Sequence, residues 1–148
     1  MADCTIPSFA EEEKLAARGY RFIAGLDEVG RGALAGPVVA AAVVLPRQLR
    51  ARWLKQVRDS KMLTPKRREY LFYRVREEAV SIGVGIVPSE VIDLKNIVRA
   101  TRLAMMQAIT QLSPPADSLL IDYMHLPGVA LPQKGIINGD QLCFSIAC

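Results

Sequence analysis

The sequence lacks the features of several protein classes. It has three cysteines without CxxC spacing, so a disulfide framework is not indicated. Its longest uncharged run, Gly32–Pro46, has 15 residues, fewer than the roughly 20 that a membrane-spanning helix needs. Neither GxxxxGKS nor GxxxxGKT occurs, which argues against a P-loop triphosphatase. The first residues show no secretory signal, so we expect a cytoplasmic protein with reduced thiols at Cys4, Cys143 and Cys148.

The chain instead has a large apolar fraction and an uneven charge distribution. With 148 residues, 51% of them hydrophobic, it suits one globular domain with a substantial core. Residues 47–76 hold eleven of the nineteen Lys and Arg residues and two acids, which gives this block a charge of +9. The other eight basic and thirteen acidic residues give −5. This asymmetry favours a polyanion-binding surface beside a separate acidic site, with a solvated helix face as the alternative.

Apolar periodicity predicts alternating strands and helices, and hence an α/β fold with a mixed sheet. The predicted strands share β-branched or otherwise apolar runs, and they span residues 20–28, 38–45, 82–87 and 119–121. The predicted helices begin at capping residues or show one apolar face, and they span 11–18, 65–81, 88–94 and 96–112. A second apolar approach to an acid follows in the segment GIINGD, residues 135–140.

Three apolar segments end in a carboxylate, which predicts an acidic cleft. The acids are Asp27 and Glu28 after IAGL, Asp122 after LLI, and Asp140 after GIING. In α/β folds the ends of strands bring functional groups together, and clustered carboxylates repel one another unless a cation neutralises them. Oxygen ligands suit Mg²⁺, and two such ions ~4 Å apart can hydrolyse a phosphodiester. For each acid alone, a helix cap or a solvated loop end is the alternative reading.

Glycines surround the first acid pair and predict a backbone turn there. Successive strand residues point to opposite faces, so Asp27 and Glu28 can face one metal site only if the backbone turns in this segment. Gly30 and Gly32 permit such a turn and allow a ligand to approach the main chain closely. Main-chain groups there could contact a ribose 2′-hydroxyl, and Arg31 suits a phosphate. A tight loop with an exposed arginine is the alternative.

These segments resemble motifs of the bacterial ribonuclease HII family, the type 2 ribonucleases H. GLDEVGRGALAGPVVAAAVVLP, which begins at Gly25, resembles its most specific signature, and DSKML, residues 59–63, resembles its second. IDLKNIVRATRLAMMQAI resembles its middle helix region, and LLID and INGD resemble its third and fourth acid sites. The resemblance runs from about Phe9 to the end of the chain.

The resemblance implies a ribonuclease-H-like fold, in which helices flank a central mixed sheet. It also implies an endonuclease, dependent on Mg²⁺ or Mn²⁺, that cuts RNA in RNA–DNA hybrids and cuts at single ribonucleotides in duplex DNA. The products would carry 3′-hydroxyl and 5′-phosphate ends. We expect two divalent ions per site, a single domain over residues 1–148, and a monomer.

Family roles carry over to positions that match the motifs. The acids that would bind the catalytic metals are Asp27, Glu28, Asp122 and Asp140. The residues that would contact substrate are Gly30, Arg31 and Gly32 at the ribonucleotide, and Ser60 and Lys61 at phosphates of the uncut strand.

Three departures from the family accompany these matches. Tyr123 stands where the family usually has glycine, and Asn138 stands where it usually has lysine. The family also continues beyond the position of Cys148 into a C-terminal helical region, so we expect a fragment or a prematurely ended chain that is poorly stable and weakly active or inactive. A nucleic-acid-binding remnant that no longer cuts is therefore one alternative function, and a metal-dependent phosphatase is another.

Overall fold

Five strands form one mixed sheet, in agreement with the predicted fold class. The computed structural model describes residues 6–33 and 35–148, so Cys4 lies outside the described residues. The strands are Ile23–Val29 (β1), Val38–Val44 (β2), Ser81–Val87 (β3), Ser118–Asp122 (β4) and Gln133–Ile136 (β5). Their order in the sheet is β3-β2-β1-β4-β5. The pairs β1–β2 and β2–β3 are antiparallel, whereas β1–β4 and β4–β5 are parallel.

Helices cover both faces of this sheet, and the second of them begins at its predicted cap. The helices are Ala10–Ala17 (α1), Pro65–Glu78 (α2), Ser89–Lys95 (α3), Ile97–Thr110 (α4), Gly139–Leu142 (α5) and Phe144–Ala147 (α6). Thr64 Oγ1 accepts a hydrogen bond from the first turn of α2, and Asn96 Oδ1 does the same for α4. Short 3₁₀ turns span Arg52–Gln56 and Ser60–Met62.

Small residues let α4 lie close against one face of the sheet. A Cβ atom at Gly83 would lie 1.9 Å from the carbonyl oxygen of Ala108, and one at Gly85 would lie 1.9 Å from that of Ala104. The side chain of Gln111 also bonds the main chain of Val84 at the open edge of β3. Helix α4 therefore buries one face of the sheet and supplies hydrogen-bond partners to main-chain groups of the edge strand β3.

The opposite face is covered by α1, α2 and the short helix α6. Gly25 lies directly beneath α6, because a Cβ there would come within 2.1 Å of the main chain of Ser145. Buried Glu12 of α1 accepts hydrogen bonds from the main chain and hydroxyl of Ser145, at 2.9 and 2.7 Å. These contacts hold α5 and α6 next to the carboxyl end of β1.

The segment around Asp140 differs from the prediction of a third strand that ends in an acid. Strand β5 ends at Ile136, and Asp140 lies in the first turn of α5. The chain leaves the sheet because Asn138 adopts a left-handed conformation with φ 55°.

Two other expectations concern the membrane and the cysteines. Within residues 6–33 and 35–148, no helix has the length and apolar character needed to cross a bilayer. Cys143 and Cys148 are free thiols, as predicted for these two.

Candidate active site

Asp27 and Asp122 lie side by side at the carboxyl ends of two parallel strands. Leu26 of β1 pairs with Ile121 of β4, so the next residue on each strand is an aspartate. Both aspartates are half-buried. Parallel strand ends at one sheet edge thus bring two carboxylates together from positions far apart in the sequence.

Glu28 extends the acidic group, and the chain turns after it, at the predicted glycines. Strand β1 pairs regularly with β2 through Val29, so the side chains of Asp27 and Glu28 leave the backbone on alternate sides, but the charge of Glu28 still acts on Asp27. The chain turns afterwards, at Gly30, where φ is +104° and a Cβ would lie 2.4 Å from the carbonyl oxygen of Pro37. Glu28 Oε1 lies 3.4 Å from Arg31 Nη1, whereas its Oε2 is buried without a hydrogen-bond partner.

Asp140 reaches the same region from α5. The main-chain N–H of Gly139 donates to Asp122 Oδ1 at 2.7 Å, which links the start of α5 to the end of β4. A Cβ at Gly139 would lie 2.6 Å from the end of the Ile146 side chain and 3.2 Å from Asp122 Oδ1, so the main chain of Gly139 lies close against both residues. The structure therefore brings all four predicted acids to one edge of the sheet.

The electrostatics of these acids reflect burial and mutual repulsion. The pKa of Asp27 is raised to about 7, mainly by burial and also by the charges of Asp122, Glu28 and Asp140, against a hydrogen bond from the Glu28 N–H. Burial also raises the pKa of Glu28, although Arg31 opposes the shift. The pKa of Asp140 is raised by burial and by the charges of Asp59 and Asp122, while Lys61 lowers it.

The donor set suits a hard divalent cation, although the described side chains do not form a closed metal cluster. Among residues 6–33 and 35–148, no group of three His, Cys, Asp or Glu side chains is arranged closely enough to hold an ion. Asp27 and Asp122 each use one carboxylate oxygen to accept a main-chain hydrogen bond at 2.7 Å. Glu28 Oε2 has no partner. Half-buried carboxylates with raised pKa values and an unpaired oxygen are the donors that a cation would stabilise.

Two loops flank the carboxylates. In the first, Arg31 and Gly32 are exposed, and a Cβ at Gly32 would meet no atom of residues 6–33 or 35–148 within 4 Å. The second is the 3₁₀ turn with Ser60 and Lys61, both exposed. The charge of Lys61 acts on Asp140, so this turn lies beside the acidic group.

Sequence reasoning missed the residues that shape the second loop. Asp59 Oδ1 accepts from the main-chain N–H of Lys61 at 3.0 Å and so caps the turn. The Arg68 guanidinium donates to the carbonyl oxygens of Ser60 and Leu63, at 3.2 and 2.7 Å. An aspartate two residues before the turn's central lysine is a recognisable capping signal, whereas the contribution of Arg68 depends on tertiary structure.

Tyr123, next to Asp122, has an unusual backbone conformation. Its φ is +60°, and the Met124 N–H donates to the Asp122 carbonyl oxygen at 2.6 Å across it. Three-residue turns with a positive central φ are rare and strained. The side chain is 69% exposed beside the acidic group.

Comparison with known proteins identifies the family to which this chain belongs. The family model described as Ribonuclease HII matches residues 24–147. A curated relative named Ribonuclease HII from Dehalococcoides mccartyi strain 195 is 56% identical over 142 residues, which is 96% of this chain and 67% of that protein. A Roseiflexus castenholzii relative of the same name is 54% identical over 95% of this chain and 64% of its own length. This chain therefore spans about two thirds of the length of these relatives.

Solved structures support the fold. The ribonuclease H2 of Pyrococcus horikoshii matches with a TM-score of 0.65 and 22% identity over 84% of this chain and 66% of that one. A Bst-RNase HIII solved in complex with Mn²⁺ matches with a TM-score of 0.60 and 18% identity, over 90% of this chain and 51% of that one. The fold is ribonuclease-H-like, as the sequence resemblance implied.

Proposed function

This chain belongs to the ribonuclease HII family, and we propose that it is a metal-dependent endoribonuclease acting on RNA paired with DNA. The observation that carries the proposal is the parallel pairing of β1 with β4, which sets Asp27 beside Asp122. Glu28 and Asp140 add two further carboxylates whose pKa values are raised in this cleft. Carboxylate oxygens of this kind are good ligands for hard divalent cations, but the acids do not themselves attack the substrate.

We propose that Asp27, Glu28, Asp122 and Asp140 hold two divalent ions, Mg²⁺ or Mn²⁺. Bound ions of this kind polarise a phosphate, lower the pKa of an attacking water and stabilise the leaving oxygen. The Glu28 and Gly139 N–H groups orient Asp27 and Asp122 by bonding one oxygen of each carboxylate. The fold likeness to a structure solved with Mn²⁺ makes Mn²⁺ a sensible ion to test beside Mg²⁺.

The loop of Gly30, Arg31 and Gly32 is proposed to recognise the ribonucleotide. Gly30 holds the loop in a conformation that other residues rarely adopt, and Gly32 leaves its main chain uncovered. Main-chain groups that reach a 2′-hydroxyl would distinguish RNA from DNA. Ser60 and Lys61 are proposed to contact phosphates of the uncut strand, because their turn lies beside Asp140 and is rigidly capped.

We further propose that the described residues act as one catalytic unit, as a cytoplasmic monomer. The three apolar clusters of the structure all border the same sheet, which supports a single domain. The family likeness supports cleavage that leaves 3′-hydroxyl and 5′-phosphate ends.

The test is cleavage of a DNA duplex that contains one ribonucleotide, with and without Mg²⁺ or Mn²⁺. We expect a single metal-dependent cut at the ribonucleotide, with ends that a phosphatase and a ligase can identify. An all-DNA duplex should stay intact. Binding of the duplex without any cut would instead favour the nucleic-acid-binding alternative, and equal cutting of both duplexes would refute recognition of the ribonucleotide.

A variant of the recognition loop sharpens this test. Gly32→Ala should fold normally, because the added methyl group meets no atom within 4 Å, but it should cover the main chain that faces the ribose. We expect it to reduce the preference for the ribonucleotide duplex. Gly128→Ala is a matched control, since its Cβ would make only ordinary contact with Met106 at 3.6 Å.

A further inference from the structure

A cationic groove lies between the 3₁₀ turn Arg52–Gln56 and the start of α2. It consists of two adjoining depressions of about 360 and 320 Å³, which share Gln56, Thr64 and Arg67. Its remaining cations are Lys55, Arg58 and Lys66, and Tyr70 lies at one end. In the described part of the chain, no acidic residue lines it.

We propose that this α2 groove, defined by Lys55, Arg58, Lys66, Arg67 and Tyr70, binds phosphates of the substrate duplex beyond the cleavage site. Four cations without an acid among them are complementary to a phosphate backbone, which carries one charge per ~1.7 Å of duplex axis. An exposed tyrosine at the end of such a groove offers an apolar ring to a sugar or base. Identification of the polyanion as the nuclease substrate rests on the proposed function.

The groove is formed by rigid elements. The Arg58 guanidinium donates to the carbonyl oxygens of Lys55 and Val57, at 2.9 and 2.7 Å, and Arg67 bonds the Gln56 side chain across the groove. At the far end of α2, buried Trp53 donates to Glu78 at 2.8 Å and joins the 3₁₀ turn to this helix. Cations held in place before binding lose less conformational entropy when they meet a phosphate.

The position of the groove connects it to the acidic cleft. Met62 lines the groove and follows Lys61, whose charge acts on Asp140. A duplex that contacts Ser60 and Lys61 would therefore continue toward the groove. Two acids adjoin groove residues in the sequence, Asp59 and Glu69, and neither lines the groove. Asp59 instead caps the Lys61 N–H.

The variant for this test is the charge reversal Lys66→Glu with Arg67→Glu. Both residues lie in the first turn of α2, where acidic side chains are favoured by the helix dipole, so the variant should fold. Binding is measured by fluorescence anisotropy in EDTA, which prevents cutting. The probes are two duplexes with one ribonucleotide: one just spans the acidic cleft, and the other extends several helical turns on each side.

We expect the variant to weaken binding of the long duplex about tenfold or more, and that of the short duplex much less. The slope of log affinity against log salt should fall by about 1.8 for two lost phosphate contacts. Lys55→Gln, a milder change at an exposed residue, should lower this slope by about 0.9. The control is Arg18→Glu with Arg21→Glu, two exposed arginines at the amino end of β1, which should leave both affinities unchanged.

Different outcomes refute different statements. An unchanged salt slope for the groove variants, or an equal loss in the control variant, would overturn the groove assignment. A wild-type protein that cuts no ribonucleotide duplex, while the groove variants still lose affinity for the long one, would overturn the proposed function and leave the groove as a nucleic-acid site.

Discussion

Replacement of Asp27 by asparagine should stabilise the metal-free protein while it removes activity. In the folded chain Asp27 is half-buried beside three other acids, and its pKa rises from 3.8 to about 7. Above that pH the folded protein must hold a charge that burial and repulsion disfavour. Asparagine carries no charge, and its amide oxygen can still accept the hydrogen bond from the Glu28 N–H.

The magnitude follows from the shift in pKa. The difference between 3.8 and about 7 sets an upper limit of about 4 kcal/mol, at about 1.4 kcal/mol per pH unit. Asp27 keeps some contact with solvent, which screens the repulsion, so we expect about 1–2 kcal/mol in the measured free energy of unfolding. For a chain of this length that corresponds to a rise in Tm of about 3–6 °C.

The dependence on pH has a definite sign. Because the folded-state pKa of Asp27 is raised, the folded protein binds more protons than the unfolded chain between pH 3.8 and about 7. The contribution of the Asp27 carboxyl to wild-type stability is therefore highest below pH 3.8 and falls as the pH rises to about 7. The gain in free energy of unfolding of Asp27→Asn over the wild type should be largest above pH 7 and should decrease steadily as the pH falls toward 4.

Thermal melting in EDTA at several pH values, followed by titration with Mg²⁺ or Mn²⁺, tests this reasoning. The metal should raise the Tm of the wild type and have much less effect on Asp27→Asn. Asp93→Asn, which removes an exposed acid from α3, is the control and should melt like the wild type. A lower Tm for Asp27→Asn in EDTA at pH 8, or an advantage that does not change with pH, would show that Asp27 is not under electrostatic strain.

Three further variants test the site and the fold. Asp122→Asn should lower metal-dependent cleavage by about a hundredfold or more, since even indirect partners of a metal cost 10–100-fold, and near-normal turnover would remove Asp122 from the site. Gly85→Ala should cost about 3 kcal/mol in urea unfolding, because its Cβ would lie 1.9 Å from the Ala104 carbonyl oxygen; a loss below about 1 kcal/mol would mean that α4 can move away. Tyr123→Gly should raise the free energy of unfolding by about 0.5–1 kcal/mol, because relief of the strain of a positive φ exceeds the entropy cost of glycine. A loss of stability would contradict strain at this turn.

Local patterns in the sequence were sufficient for much of the fold. The apolar runs that became β1, β2, β3 and β4 were predicted to within a few residues, because each is buried and bounded by polar or turn residues. The start of α2 was predicted at Thr64 because capping is a local interaction between side chain and main chain, and the start of α4 at Asn96 was predicted from the apolar face that follows it. The end of α2 was placed three residues too late, since β3 already begins at Ser81.

The site was less predictable because it depends on pairing between distant segments. That Asp27 and Asp122 follow apolar strands is visible in the sequence, but their adjacency requires the parallel register of Leu26 with Ile121. Asp140 was assigned to a strand end because Ile136 and Ile137 precede it, whereas the left-handed Asn138 starts a helix there instead. The turn predicted from Gly30 and Gly32 is found at Gly30, directly after the last residue of β1 that pairs with β2, because a glycine turn is a local signal.

The two departures from the family pattern have a common structural explanation. Tyr123 and Asn138 each have a positive φ, 60° and 55°, and each lies within two residues of a carboxylate of the site. The Tyr123 N–H bonds the Ile136 carbonyl oxygen at 2.9 Å, which ties this turn to the end of β5. A positive φ costs tyrosine about 1–2 kcal/mol of backbone strain, whereas asparagine tolerates this conformation well. We therefore expect the residue type at 123 to affect the stability of the strand end that carries Asp122.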